Sequence, residues 1–388
     1  QIYNRARMLC RQIGDTSQLY FVLHGIWIFH IGRGQLRTAR ELGEQFLRLV
    51  QDSQEPLFLP GAHFQLGLTL SNCGELASAR LHLEEAIARY DPQWHRPGRS
   101  HALLAINDIR VTSLSILALT LWWLGYPDQA RRRIQEALSL AQQLDHPTSL
   151  AYVLNMASML HHFYQDPQAV LRHAEALIAL SNEHGFSYRL AWGTSLRGWA
   201  LIALEQRGEG LTQMREGLSA LAATGIEVWR SYWLGLFNKT EGKNGDMPGG
   251  LVGVSEALLA LQRNDERHLV GELYRLKGEL TLQKEARGWG LETSLPSSQA
   301  SSLQPLVSSG AEQEAEEGFL KAIEIAQKQQ AKSLELRATV SLARLWQSQG
   351  KTTEAHRMFS DVYNWFTEGF DTKDLQEAKA LMDALAKT

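Results

Sequence analysis

The chain has 388 residues, 44% of them hydrophobic and 21% charged, with a net charge of −3 and both signs interspersed. That length accommodates two or three compact domains or one elongated repeat array, and the mixed charge offers no basic stripe for a phosphate backbone, which argues against nucleic-acid binding by this region. Ala, Leu, Glu, Gln and Arg recur throughout, while β-branched runs with period-two alternation are nearly absent, so the pattern is helical.

The chain opens mid-pattern at Gln1, without an initiator Met, as a partial helix over residues 1–13. A piece of something longer is expected. No basic segment leads into an apolar one, and no stretch approaches eighteen uninterrupted apolar residues, so the expectation is a cytoplasmic region that neither carries a secretion signal nor spans a membrane. Cys10 and Cys73 lie far apart inside amphipathic runs, without metal-ligand spacing, and read as reduced core residues.

From there a unit of about forty residues recurs. Aligned on Phe46, Ala86, Ala137, Ala176, Gly217, Ala257, Ala322 and Val362, successive anchors are separated by 40, 51, 39, 41, 40, 65 and 40 residues. Seven residues before each anchor stands a small residue (Ala39, Ala79, Ala130, Ala169, Gly210, Gly250, Ala315, Ala355), and five before that, in six units, a glycine: Gly34, Gly74, Gly125, Gly245, Gly310 and Gly350. Glycine suits the left-handed residue that ends a helix before the chain reverses. The small residue five after the turn lets two antiparallel helices approach closely, and small residues recur seven before the turn in several first helices (Gly67, Ala118, Ala157, Gly198, Ala343).

Each unit is therefore a helical hairpin, expected over residues 17–51, 55–90, 100–144, 147–183, 186–223, 226–263, 266–330 and 332–367. One hairpin cannot bury its own apolar stripe, so neighbours stack into an all-α, right-handed α-solenoid, with first helices on the inner wall and second helices on the outer. A capping helix is expected over residues 372–386, with Asp371 or Thr372 at its N-cap and Asp374 in its first turn. In the sixth unit Asn238 and Glu241 replace apolar residues, which predicts loose packing. Residues 287–311, rich in Ser, Gly and Pro, predict a flexible excursion.

Catalytic motifs are missing. "TEGKNG" lacks the first glycine of a phosphate-cradling loop, and Asn244 follows Lys243 where Ser or Thr is needed. His161 and His162 are adjacent, so they point roughly 100° apart on a helix and cannot clamp one metal. No Gly-x-Ser-x-Gly elbow occurs. No catalytic residue, metal or cofactor is expected.

The small residues and turn glycines resemble those of the tetratricopeptide repeat, here in a longer unit. "WWLGYPDQA" (122–130), "ELYRLKGEL" (272–280), "QQAKSLELRATVSLARLWQSQGK" (329–351) and "WFTEGFDTKDLQEAKAL" (365–381) resemble the carboxy-terminal sensor superhelix of bacterial signal-transduction ATPases. Many of these carry a nucleotide cyclase or DNA-binding domain upstream. The resemblance implies a non-catalytic sensor or scaffold region that binds a protein segment or small effector in its groove, works with upstream ATPase or cyclase domains and serves signal transduction or transcription regulation.

It also implies groove positions two, five, nine, twelve and thirteen of each first helix, when the turn residue is fifteen. These are Trp122 and Trp123 in the third unit, His161 and His162 in the fourth, and Trp192, Ser195 and Trp199 in the fifth. Glu272, Arg275 and Glu279 follow in the seventh unit, and Arg337 and Arg344 in the eighth. The inner wall would turn from aromatic to charged along the chain. Of Trp122 and Trp123, one is expected to seal a hairpin joint and the other to open into the groove; packing of all four tryptophans is the competing expectation. A ligand-free self-association scaffold and an enzyme with an unrecognised site are the alternative functions.

Overall fold

The computed structural model describes residues 16–52, 56–95, 106–243, 247–286 and 309–386. The partial helix expected over 1–13 and most of the excursion, residues 287–308, lie outside them. The long helices are α1 (Thr16–Gly32), α2 (Leu36–Asp52), α3 (Leu59–Asn72), α4 (Leu76–Ala88), α5 (Ile109–Leu124), α6 (Pro127–Gln143), α7 (Pro147–Phe163), α8 (Pro167–His184) and α9 (Ser187–Ala203). They continue as α10 (Arg207–Thr224), α11 (Arg230–Lys243), α12 (Met247–Arg263), α13 (Val270–Ala286), α14 (Ser309–Lys328), α15 (Lys332–Ser348), α16 (Thr352–Tyr363) and α17 (Lys373–Leu385). Each helix packs on the next in chain order, and first helices touch first helices of neighbouring hairpins, as α3 with α5, α5 with α7 and α13 with α15. This is an all-α solenoid.

The forty-residue period is written in the backbone. Gly34, Gly74, Gly125, Gln165 and Glu205 all have positive φ between first and second helices, and Asp145, Gly185, Gly225 and Asp265 repeat it, forty residues apart, between hairpins. Each such residue stops a helix by turning its last carbonyls toward the N–H groups that follow, as where Gly125 N–H reaches Trp122 O at 3.1 Å and Tyr126 N–H reaches Leu121 O at 2.8 Å. Gly310 departs from the expectation. It lies inside α14, which begins at Ser309, six residues before Ala315, whereas α2, α4 and α6 begin three residues before Ala39, Ala79 and Ala130. Gly245 lies outside the described residues.

The small residues mark helix crossings. Ala79, Ala118, Ala130, Ala157, Ala169, Ala315, Ala343 and Ala355 are fully buried. At the tightest crossing, α9 on α10, a Cβ on Gly198 would come within 2.6 Å of Met214 N and 2.7 Å of Gly210 O. In the sixth unit Asn238 lies directly against Gly253, whose missing side chain makes the room for it. Glu241 turns outward to pair with Arg215. Thr372 stands at the N-cap of α17, its hydroxyl donating to Gly369 O at 2.7 Å. Cys73 is a free, half-buried thiol that burial pushes up to about 11.

The solenoid then meets itself. Glu227 N–H donates to Gly32 O at 2.8 Å, and Arg267 N–H to Asn72 O at 2.9 Å. Both pairs are 195 residues apart, roughly five units of this repeat. Farther on, Asp128 accepts from Gly369 N–H at 3.1 Å, Gln165 donates to Asp374 at 2.7 Å, and α15 packs on α5. The second superhelical turn rests on the first. This explains why nearly every residue of α5 is buried: a helix apolar on all sides needs neighbours on all sides. Among the described residues no helix is long and apolar enough to cross a membrane.

Candidate functional site

Where the two turns meet, the concave interior is divided by an aromatic septum. Trp122 stacks on Phe163 at 4.8 Å, and Trp123 contacts Phe163, Trp229 and His268 with centroids 5.8, 5.6 and 5.0 Å away. Trp122 and Trp123 are only 2% and 1% exposed. The expectation that one of them opens into the groove is therefore corrected. In an open solenoid position thirteen would face a channel; here the returning turn fills it. Trp229 sits at φ 70, a strained conformation for a large residue, held by Glu266 on its N–H at 3.0 Å and by Asn72 on its indole N–H at 2.9 Å.

Glu266 and His268 face each other in the septum, 3.8 Å apart and fully buried. Burial pushes the carboxyl up to about 8 and the imidazole down to about 3, so both are neutral at neutral pH and the contact is not an ion pair. His268 Nδ1 lies 3.2 Å from Asn72 O, which assigns its proton to Nδ1. Sealed from both cavities, the pair is structural.

On one side of the septum lies a charged cavity of about 310 Å³ that gathers His162, Trp199, Glu272, Arg275, Glu279, Arg337 and Arg344. Its four cations and four carboxylates are paired among themselves. Arg275 binds Glu272 at 2.6 Å and also Glu279; Lys239 binds Glu279 at 2.6 Å; Arg337 binds Asp374 at 2.9 Å; Arg344 binds Glu377 at 3.1 Å. Burial works to raise the Glu272 pKa, but Arg275, with Arg337 and Lys239 behind it, outweighs burial and holds the carboxyl below its usual range. Arg337 also lies over the Trp122 ring at 4.7 Å. His162 bonds Tyr232 Oη at 2.9 Å, and burial, with Arg337 nearby, lowers its pKa to about 3.

On the other side is an apolar cavity of about 270 Å³ between α1, α3, α5, α7 and α9. Trp27, Phe64, Ile116, Met156 and Trp192 line it, and no carboxylate among the described residues does. Its polar groups are few. Gln65 donates to His24 Nδ1 at 2.9 Å but its Oε1 has no hydrogen-bond partner among the described residues; Asn155 accepts from Arg189 at 2.8 Å but its Nδ2 has none. Both side chains are almost wholly buried, at 0% and 1% exposure. Burial lowers the His24 pKa to about 4, so its ring is neutral.

Two further site expectations are corrected. Ser195 is buried against Gly217 of α10 and bonds Ala191 O at 3.0 Å, facing the hairpin partner rather than a cavity. His161 stacks on His173 of α8 at 5.4 Å, with Asp166 3.7 Å away. The turn residue of the fourth unit is Gln165, with φ 56, so the register runs one residue later than position 164 implies. His162 and Phe163, not His161 and His162, match Trp122 and Trp123. Among the described residues no three His, Cys, Asp or Glu side chains cluster to hold a metal.

Gln65, Asn155 and Arg189 were not picked out from the sequence. The signal for the first two was a single amide inside an apolar helix, in "HFQLGL" and "YVLNMA". For Arg189 it was a cation between aromatic residues in "SYRLAW".

No protein-family model matches the chain, and no curated protein matches its sequence. Among solved structures it is similar to a Rap protein in complex with competence and sporulation factor, at TM-score 0.55 and 11% identity over 96% of this chain and 98% of that one. It is also similar to a signal transduction ATPase with numerous domains and a tetratricopeptide repeat sensor, from Pyrococcus horikoshii, at TM-score 0.47 and 12% identity over 97% of this chain and 50% of that one. The fold is a tetratricopeptide-type helical repeat solenoid.

Proposed function

We propose that this chain is a non-catalytic interaction module, a sensor or scaffold that takes a protein segment or a small effector into its concave interior. Its setting in this reading is a larger bacterial signalling ATPase or nucleotide cyclase of the cytoplasm, whose upstream domains receive the occupied or empty state. One observation carries the reading: two cavities lie between superhelical turns that are joined by hydrogen bonds between residues 195 apart. An occupant has to fit the spacing of the two turns, so binding and the curvature of the solenoid are coupled. The Rap complex, a solenoid of the same fold with a bound factor, is in keeping with this reading.

Panning a random displayed peptide library on the immobilised chain tests it. Selected peptides should slow hydrogen exchange in the first helices α5, α7, α11 and α13. Protection confined to the second helices α6, α8 and α10, or failure to select any binder, would remove the interior as the site.

A further inference from the structure

The two cavities differ in what they leave unpaired. In the charged cavity every cation lining it is matched by a carboxylate within ion-pair distance, so its charges answer one another. Among the described residues lining the apolar cavity, Arg189 is the one permanently charged side chain and none is a carboxylate. The guanidinium lies over the rings of Tyr152 and Tyr188, at 4.8 and 5.2 Å, and donates to Asn155 Oδ1; it forms no ion pair with a described residue. The unpartnered Nδ2 of Asn155 belongs to the same amide that Arg189 holds. Two N–H donors of one polarity therefore stand together at the edge of an apolar chamber, and a buried unpaired donor is costly.

We propose that this cavity binds a medium-chain monocarboxylate, its carboxylate on Arg189 and the Asn155 amide, its tail against Trp27, Ile116, Met156 and Trp192. Guanidinium and carboxylate match in charge and in fork geometry. The tail replaces water on the aliphatic and aromatic part of the lining. A cavity of about 270 Å³ has room for the ten non-hydrogen atoms of an eight-carbon acid and none for a folded partner. This rests on the interior being a ligand site, and it names the ligand chemistry of one half of it.

Calorimetric titration of the chain with octanoate, octan-1-ol and octylamine tests the proposal. Octanoate should bind at least about tenfold more tightly than octan-1-ol, as expected for a charge-assisted hydrogen bond, and octylamine should bind more weakly than either. Arg189→Met should abolish the preference for octanoate while leaving octan-1-ol binding unchanged, which also shows that the cavity is intact. Arg189→Lys should retain the preference for acid over amine. Equal binding of octanoate and octan-1-ol by the native chain, equal losses for both in Arg189→Met, or no octanoate binding would overturn the proposal. Those results leave the peptide selection untouched: peptides that still protect the inner helices would sink the carboxylate site and spare the interaction module.

Discussion

Trp123 shows how one side chain joins distant parts of the chain. Its ring meets Phe163 from the next hairpin, together with Trp229 and His268 from the returning superhelical turn. Trp123→Ala should therefore cost about 3–5 kcal/mol, read as a lower midpoint in guanidinium unfolding; a cost under about 1 kcal/mol would mean the septum is not close-packed. Titration in this core has a definite sign. The carboxyl of Glu266 is raised by burial from 4.5 to about 8, so the folded state holds a proton the unfolded state has released, and its contribution is lost as pH rises through 8. His24, His161, His162 and His268 are lowered by burial from 6.5 to about 4, 4, 3 and 3, so their contribution is complete above 6.5 and lost as pH falls toward those values. The two trends oppose one another between pH 4.5 and 8, and a variant separates them. Between pH 6.5 and 8 the native chain should lose about 1.5–2 kcal/mol relative to Glu266→Gln; parallel stability curves for the two over that range would refute the assignment.

At the scale of elements, the contact between α9 and α10 is made by backbone. Gly198→Ala would drive a Cβ into Met214 N and Gly210 O, which cannot rotate away as a side chain could. The expected loss is about 1–3 kcal/mol in thermal unfolding. Gly208→Ala is the matched control, since a Cβ there meets nothing within 4 Å and removing a helical glycine should be neutral or stabilising by up to about 1 kcal/mol. A loss at Gly208 as large as that at Gly198 would mean that close approach is not what Gly198 provides. The turns carry the same logic with less economy: Gln165 and Glu205 hold left-handed conformations without being glycine. Gln165 has a use for its side chain, which reaches Asp374 in the first turn of α17.

Across the whole molecule, Asn72 is where the two superhelical turns are fastened. Its side chain accepts from Trp229, and its carbonyl accepts from Arg267 and His268. Asn72→Ala leaves the indole N–H of Trp229 buried and unpaired, at a cost of about 1–3 kcal/mol. Hydrogen exchange should quicken at Glu227 and Arg267, 195 residues from their acceptors, while helix amides of α15 and α16 stay protected. Faster exchange limited to α3 would mean that the turns touch without coupling. The exposed pair Arg131–Asp371, at 3.0 Å, joins the same two turns but is screened by solvent and should contribute under about 1 kcal/mol.

The sequence by itself determined the helical hairpin, its period and its glycine turns, because these follow from interactions within forty residues. Gly34, Gly74, Gly125 and Gly350 have the left-handed backbone their spacing implies, and Ala79, Ala118 and Ala130 are buried at crossings. The all-α solenoid follows from the inability of one hairpin to cover itself. Only the tertiary structure decided what the inner wall is for. Groove positions derived from a single repeat cannot register that Trp122 and Trp123 will be covered by a turn arriving some 100–200 residues later, and a one-residue slip in the fourth unit moved His161 off the wall. The same return of the chain paired the charges around Arg275 and Arg337. It left Arg189 and Asn155 beside an apolar chamber, a juxtaposition of α7 and α9 with α1 and α3 that no local pattern encodes.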